Sequence, residues 1–399
     1  MTDVGQTSRD TQAGRPRWAS LLWIGLPLAV LGLAVAWMVS SDPLSGFRNG
    51  APPVENLTFE RTILGNDGIR ILVRAGGSEP MTIAQVQVDD AYWQFTQDPP
   101  GPIARGATAW IALPYPWVLG EAHAVNVVTS TGTTFGHEIA VAVPTPTRDS
   151  PSFAGQAVLG AFVGILPVAI GLMFYPALRG IGRGGMDFLL SMTVGLLAFL
   201  FVDTLEDAFE LAGKAAALFQ GPTLIMLAAT ASFLLLLAAG RRGGTPTGLA
   251  LSTFIALGIG LHNLGEGLAI GAAFASGAAG LGTFLVLGFT LHNITEGIGI
   301  AAPILKQRPP LSAFVALTLL AGGPAVVGLW IGSLAYAPQW SALALAVGAG
   351  AILQVIVEMV SLQLRQRTDG SRALLAPPAM AGLAAGVGFM YLTAMLVKI

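Results

Sequence analysis

Apolar runs too long for a soluble core constrain this chain more than any other feature. The first extends from Trp18 to Ser40, 23 residues, and others follow at roughly 153–176, 186–212, 222–240, 248–275, 281–304, 311–336, 341–363 and 375–397. A helix rising about 1.5 Å per residue needs about 20 residues to cross the ~30 Å hydrocarbon layer of a bilayer. A helix is also the backbone that satisfies its own amides within one segment there. A polytopic α-helical membrane protein is therefore expected. Composition agrees. Only 11% of the residues are charged, where soluble domains carry about 25%, and 51 glycines suit close helix contacts in lipid. The chain has no cysteine, so disulfides and thiolate metal sites are excluded. No basic cluster large enough to hold nucleic acid is present.

The order of segments suggests four parts. Residues 1–17 are polar, with Arg9, Arg15 and Arg17 before the first apolar run, and are expected to be a cytoplasmic tail. The run at 18–40 is longer than the apolar core of a signal peptide and reads as an uncleaved anchor helix rather than a leader cut near Ser40. Residues 43–148 change to soluble β composition, with seven short alternating runs separated by turn signals such as "GNDG" and "STGTT". That spacing suggests an immunoglobulin-like β-sandwich, followed by the linker "VPTPTRDSP". Residues 153–399 hold the other eight apolar runs. Arg179, Arg183, Arg241, Arg242, Lys306, Arg308, Arg365, Arg367 and Arg372 fall in alternate connections, which places those connections in the cytoplasm. The expectation is a multi-pass protein of the plasma or inner membrane, with an extracytoplasmic β domain and C-terminus.

Two stretches break the apolar pattern, "LHNLGEGLAIGAAF" (261–274) and "LHNITEGIGIAAP" (291–303), and between them they use two of only four histidines. Residues i and i+4 share a helix face, so His262 points with Glu266 and His292 with Glu296. Asn263 and Asn293 flank the same stripes. Acids at Asp203, Glu206, Asp207, Glu210, Glu266, Glu296 and Glu358 fall inside the runs, where lysine and arginine do not. An intramembrane carboxylate costs about 2.5–3.5 kcal/mol or more at the bilayer centre. Without basic partners, it must be protonated, hydrated or bound to a cation. Imidazole beside carboxylate favours a transition metal such as Zn²⁺ or Fe²⁺ over Mg²⁺ or Ca²⁺. The expected ligand set is His262, Asn263, Glu266, His292, Asn293 and Glu296, with the glutamates able to bridge a second ion. Glycines on the first helix of the pair permit close packing and a bend at the site. Asp203 and Asp207 toward the outside, and Glu358 (with Gln354 one turn earlier) toward the cytoplasm, read as stations for a permeating cation. His123 and His137 are expected at the surface of the β domain. A metal-dependent hydrolase within the membrane is the competing reading, although no H-E-x-x-H pattern is present. A metal sensor with the β domain as output is a third.

The same residues resemble the ZIP family (Zrt-, Irt-like proteins) of divalent metal transporters over about residues 153–399. "HNLGEGLAIGAAF" and "HNITEGIGIA" resemble the family's helix-4 and helix-5 motifs, "DTLEDAFE" its acidic helix-2 segment, and "GAILQVIVEM" its helix-7 segment with a glutamate. Gly265 and Thr295 stand where proline is usual, and Gly323 where a helix-6 glutamate is common. The resemblance implies an eight-helix bundle, a metal site between the fourth and fifth helices, alternating access and a homodimer. It implies no enzyme activity and no prosthetic group, only a transported Zn²⁺, Fe²⁺, Mn²⁺ or Cd²⁺.

Overall fold

The computed structural model describes residues 17–41, 53–139, 141–145, 151–216, 219–275, 279–335, 338–365 and 374–397. The tail before Arg17 and most of the linker after Thr145 lie outside the described residues. The chain divides into two compact units, Met1–Pro53 and Val54–Ile399. In the first, the anchor run forms one helix, α1 (Arg17–Ser41), with Pro27 inside it. Its apolar side chains from Leu26 to Val35 are exposed.

The second unit begins with eight strands in two antiparallel sheets. One has the order β1 (Leu57–Gly65), β2 (Gly68–Ala75), β6 (Thr108–Leu113), β5 (Thr96–Asp98). The other has the order β4 (Ala91–Trp93), β3 (Ile83–Val88), β7 (His123–Thr129), β8 (Thr134–Ile139). Ile69, Ile71, Val73, Val86, Ile111, Val125 and Val127 interleave between the sheets as one core. The run "AYWQFTQ", expected as one strand, is two: the chain leaves one sheet after Trp93 and joins the other at Thr96. The last strand, expected over "EIAVAVP" (138–144), starts earlier, at Thr134.

The rest is helical. The first span, Phe153–Leu178, comprises α2 (Pro151–Gly160), a π-helical turn (Ala161–Ile165), α3 (Leu166–Met173) and α4 (Tyr175–Leu178). After it come α5 (Arg183–Lys214), α6 (Gly221–Arg241), α7 (Gly248–Ala275), α8 (Ala279–Ala301), α9 (Leu311–Ala335), α10 (Pro338–Arg365) and α11 (Pro377–Val397). Among the described residues, seven of these spans are long and apolar enough to cross a membrane, so the protein is a multi-pass membrane protein. Helix α8, which is not one of those seven, packs against α3 and α7.

Packing sorts the helices into two sets. The span from α2 to α4 joins α7, α8 and α9; α5, α6, α10 and α11 form the other set, and α7 against α10 is the main contact between them. Helices α7 and α9 approach so closely that a Cβ at Gly267 would overlap the Ala325 carbonyl, and one at Gly328 the Leu264 carbonyl. Small residues permit such backbone contact where lipid supplies no hydrophobic drive. Helix α7 runs as one continuous helix through its glycines.

Candidate metal centre

Both His-Asn-x-x-Glu motifs lie in mid-helix, on α7 and α8. These helices run antiparallel, pinned by Ser252 Oγ donating to the Ile300 carbonyl at 2.7 Å. This register brings His262 and His292 level, with ring centroids 6.4 Å apart. His292 Nε2 lies 2.6 Å from Glu266 Oε1 in a hydrogen bond. His262 Nε2 is 2.9 Å from the same oxygen but out of hydrogen-bond alignment, and it has no other partner. Among the described residues, His262, Glu266 and His292 form the group whose donor atoms lie within 4.8 Å of one another. All three are at most 3% exposed.

The asparagines are anchored in matching ways. Asn293 Nδ2 donates to the Val163 carbonyl at 3.0 Å and lies 3.4 Å from Glu266 Oε2. Asn263 Nδ2 donates to the Ala321 carbonyl at 3.0 Å. Both carbonyls belong to helices interrupted by proline. Pro167 has no N–H to give Val163, four residues earlier, and the backbone widens there into the π turn. Pro324 sits inside α9, three residues after Ala321. An unpaired carbonyl at membrane depth costs several kcal/mol; Asn293 supplies the donor that Pro167 withholds from Val163, whereas Pro324 withholds its N–H from Leu320 and Asn263 adds a donor at the neighbouring Ala321. Because only the NH₂ can donate to a carbonyl, Oδ1 of each is left over.

A set of unpartnered polar atoms results. Asn263 Oδ1, Asn293 Oδ1, His292 Nδ1, His262 Nε2 and both carboxylate oxygens of Glu296 are buried without a hydrogen-bond partner. A few such atoms in a whole protein is usual; here six come from two helices. Glu296 itself is 2% exposed. From the second set of helices, α10 closes over this region: a Cβ at Gly348 would come within 3.4 Å of His262 Cα.

The remaining sequence candidates lie elsewhere. Asp203 is half-buried and, with Glu206, lines a cleft of about 460 Å³ between α5 and α11, facing Tyr391 and Met395. Asp207 is exposed. Glu358 on α10 is 1% exposed, and Arg241 Nη2 at the end of α6 stands 3.5 Å from its Oε1. The expectation that the acids have no basic partner is therefore corrected at Glu358, because a helix-end arginine reaches it from a connection. Asp187, in the first turns of α5, is a further buried acid that the sequence reading passed over.

The β region holds its histidines differently from expectation. His123 is 3% exposed, not a surface residue, with Nδ1 2.8 Å from Asp89 Oδ2 and Nε2 3.4 Å from the Val118 amide. His137 is half-buried, stacked on Phe59, with Nε2 2.8 Å from Thr62 Oγ1; burial holds its pKa below the usual value. Asp89 also accepts from the Ala124 amide and from Tyr115. The Asp89 bond, with burial and nearby negative charge, pushes the Tyr115 hydroxyl up to about 12.

The chain matches no protein-family model, and no curated protein matches it significantly.

Proposed function

We propose that this protein transports a divalent transition-metal cation into the cytoplasm, in the manner of ZIP-like transporters, through the His/Asn/Glu site between α7 and α8. Zn²⁺ and Fe²⁺ are the leading substrates, with Mn²⁺ and Cd²⁺ next. One observation carries the reading: six buried polar atoms on two helices, four of them acceptor oxygens, lack hydrogen-bond partners while the amide donors beside them are spent on backbone carbonyls. Each such atom costs about 1–3 kcal/mol, and a bound cation would relieve the carboxylate and amide oxygens that turn to it.

The donor spacing fits a small ion. Tetrahedral ligands about 2.0–2.1 Å from a metal stand about 3.3 Å from each other. The Nε2–Oε1 distances of 2.6 and 2.9 Å reach that value if the side chains spread by about 0.4–0.7 Å. The side chains would hold the ion by His262, Glu266 and His292, with Glu296 and the two asparagine oxygens turned to it from the same helices. Binding displaces protons from ligand groups, so uptake is pH-dependent.

Two further observations support the rest of the reading. The β region packs on the end of the bundle formed by the α5–α6 connection and the start of α10, with the Arg74 guanidinium 5.5 Å over Phe219 and Glu60 bonded to Gln339. Arg179, Arg241, Arg308 and Arg365 belong to the opposite ends of their helices, as an extracytoplasmic β domain requires under the positive-inside rule. The strand orders β1-β2-β6-β5 and β4-β3-β7-β8 correspond to the A-B-E-D and C′-C-F-G sheets of an immunoglobulin-like sandwich.

The test is uptake of radiolabelled zinc or iron into proteoliposomes. The Glu266→Ala, Glu296→Ala double variant is expected to abolish it. Normal uptake by that variant, correctly folded, ends the proposal.

A further inference from the structure

The polar side chains do not stop at the metal centre. Helix α10 runs antiparallel to α7: Gly348 packs at His262, while Gln354 and Val355 pack at Gly258. Gly258 is one helical turn from His262 on the same face, so Gln354 sits about one turn, 5–6 Å, along the seam. Glu358 follows one turn beyond Gln354. Both are 1% exposed, and Gln354 Oε1 and Glu358 Oε2 have no hydrogen-bond partner. A file of buried acceptors thus runs from the centre along the α7–α10 seam toward the end of the bundle where α6 terminates.

Arg241 stands at the end of that file. It is the last residue of α6 and is 42% exposed, yet its guanidinium is 3.5 Å from the buried Glu358 Oε1. A charge-assisted hydrogen bond is about 2.7–2.9 Å, so this is an ion pair without a made bond. It leaves Oε2 and the Gln354 oxygen unserved. A forked guanidinium could engage both carboxylate oxygens; this one, reaching in from the solvent side, engages one at long range.

We infer that Arg241 is a tethered counter-ion that closes the Glu358 end of this file, and that a cation leaving the bundle must displace it. This rests on the transport reading above, which supplies the travelling cation. The physical logic is competition for one carboxylate. With Arg241 in place, Glu358 is charge-compensated and offers little to a metal. With Arg241 swung into water, Glu358 Oε2 and Gln354 Oε1 can bind a divalent ion arriving from the centre. Its return then re-forms the pair and ejects the ion, so the arginine discourages back-flow and keeps the exit station empty at rest.

The test measures binding of radiolabelled Cd²⁺ by equilibrium dialysis of the full-length protein in detergent. Arg241→Gln is expected to bind one more Cd²⁺ per chain than wild type, or to bind its weakest Cd²⁺ about tenfold more tightly. Arg241→Gln with Glu358→Gln should return to the wild-type isotherm. Arg241→Lys keeps a charge but not the fork, and should fall between; it carries the test if Arg241→Gln does not fold. Wild-type isotherms for every folded Arg241 variant overturn the inference, as does extra Cd²⁺ that survives Glu358→Gln. Repeating the pair on a Glu266→Ala background separates the two readings. Loss of the central Cd²⁺ there reports on the transport site alone, and the Glu358-dependent increment reports on Arg241 alone.

Discussion

Glu266 and Glu296 have the same local sequence, a histidine four residues before and an asparagine three before, yet their surroundings differ. Glu266 collects His292 and lies 2.9 Å from His262 and 3.4 Å from Asn293. Glu296 is equally buried and has no hydrogen-bond partner. The difference predicts unequal stability effects. Glu266→Gln weakens a charged hydrogen bond and should cost about 1.5–3 kcal/mol without metal. Glu296→Gln breaks no bond and should change metal-free stability by less than about 1 kcal/mol. Both should weaken Cd²⁺ binding by about tenfold or more. Thermal melts with and without Cd²⁺ read both effects, and equal metal-free costs for the two variants would contradict this account. The repeat of the motif, and hence the pairing of α7 with α8, was legible in the sequence. The asymmetry between the two carboxylates was not, because it depends on which ring reaches which oxygen across the helix pair. Arg241 was visible only as a topology signal; nothing local reveals that a helix end arrives beside a buried acid far along the chain.

At the scale of elements, the site depends on two irregular helices that donate nothing to a metal themselves. Pro167 leaves the Val163 carbonyl without a backbone donor, and Asn293 answers it. The sequence "FVGILP" contains this signal, since a proline always orphans the carbonyl four residues earlier. What it lacks is the identity of the donor, which comes from another helix 130 residues away. A double-mutant cycle tests the coupling. Asn293→Ala strands the carbonyl and should destabilise by about 1–3 kcal/mol. Pro167→Ala restores an N–H and lets the π turn relax toward an α-helix, so Asn293→Ala should cost clearly less on that background. Additive effects of the two substitutions would show that the asparagine does not serve the proline gap. The β strands teach a similar lesson. "AYWQFTQ" alternates like one strand, but its two halves pair with different sheets. Alternation reports which side chains face a core and is silent about where a chain crosses from one sheet to the other.

At the scale of the whole molecule, the β region and the helices are one compact unit, although composition alone divides them. A buried fork joins them. Arg74 Nε and Nη2 grip Glu60 at 2.5 and 3.1 Å, and Gln339 Nε2, in the first turn of α10, donates to the same carboxylate at 2.9 Å. The β region also brings a pH dependence. Burial acts to raise the Asp89 carboxyl, but bonds from the Ala124 amide, His123 and Tyr115 outweigh it and hold the pKa below the usual carboxylate range. A depressed folded pKa stabilises above the unfolded value of about 3.9, and that stability is lost as pH falls through the lower folded value. The calorimetric melting temperature of the unit should therefore drop on acidification, and Asp89→Asn should flatten that drop; an unchanged acid limb would remove Asp89 as its cause. The fork itself predicts how the two parts unfold. Gln339→Ala removes the donor from α10 and leaves Glu60 and Arg74 paired within the β region, so the β region should remain folded but lose its tie to the bundle. Calorimetry of the wild type should give one transition for the unit, and Gln339→Ala should divide it, with amide exchange rising first in β1 and the start of α10. A single transition at the wild-type temperature would mean that the Arg74 guanidinium over Phe219, rather than the Gln339 bond, carries the coupling. In that case Phe219→Ala should divide the transition instead.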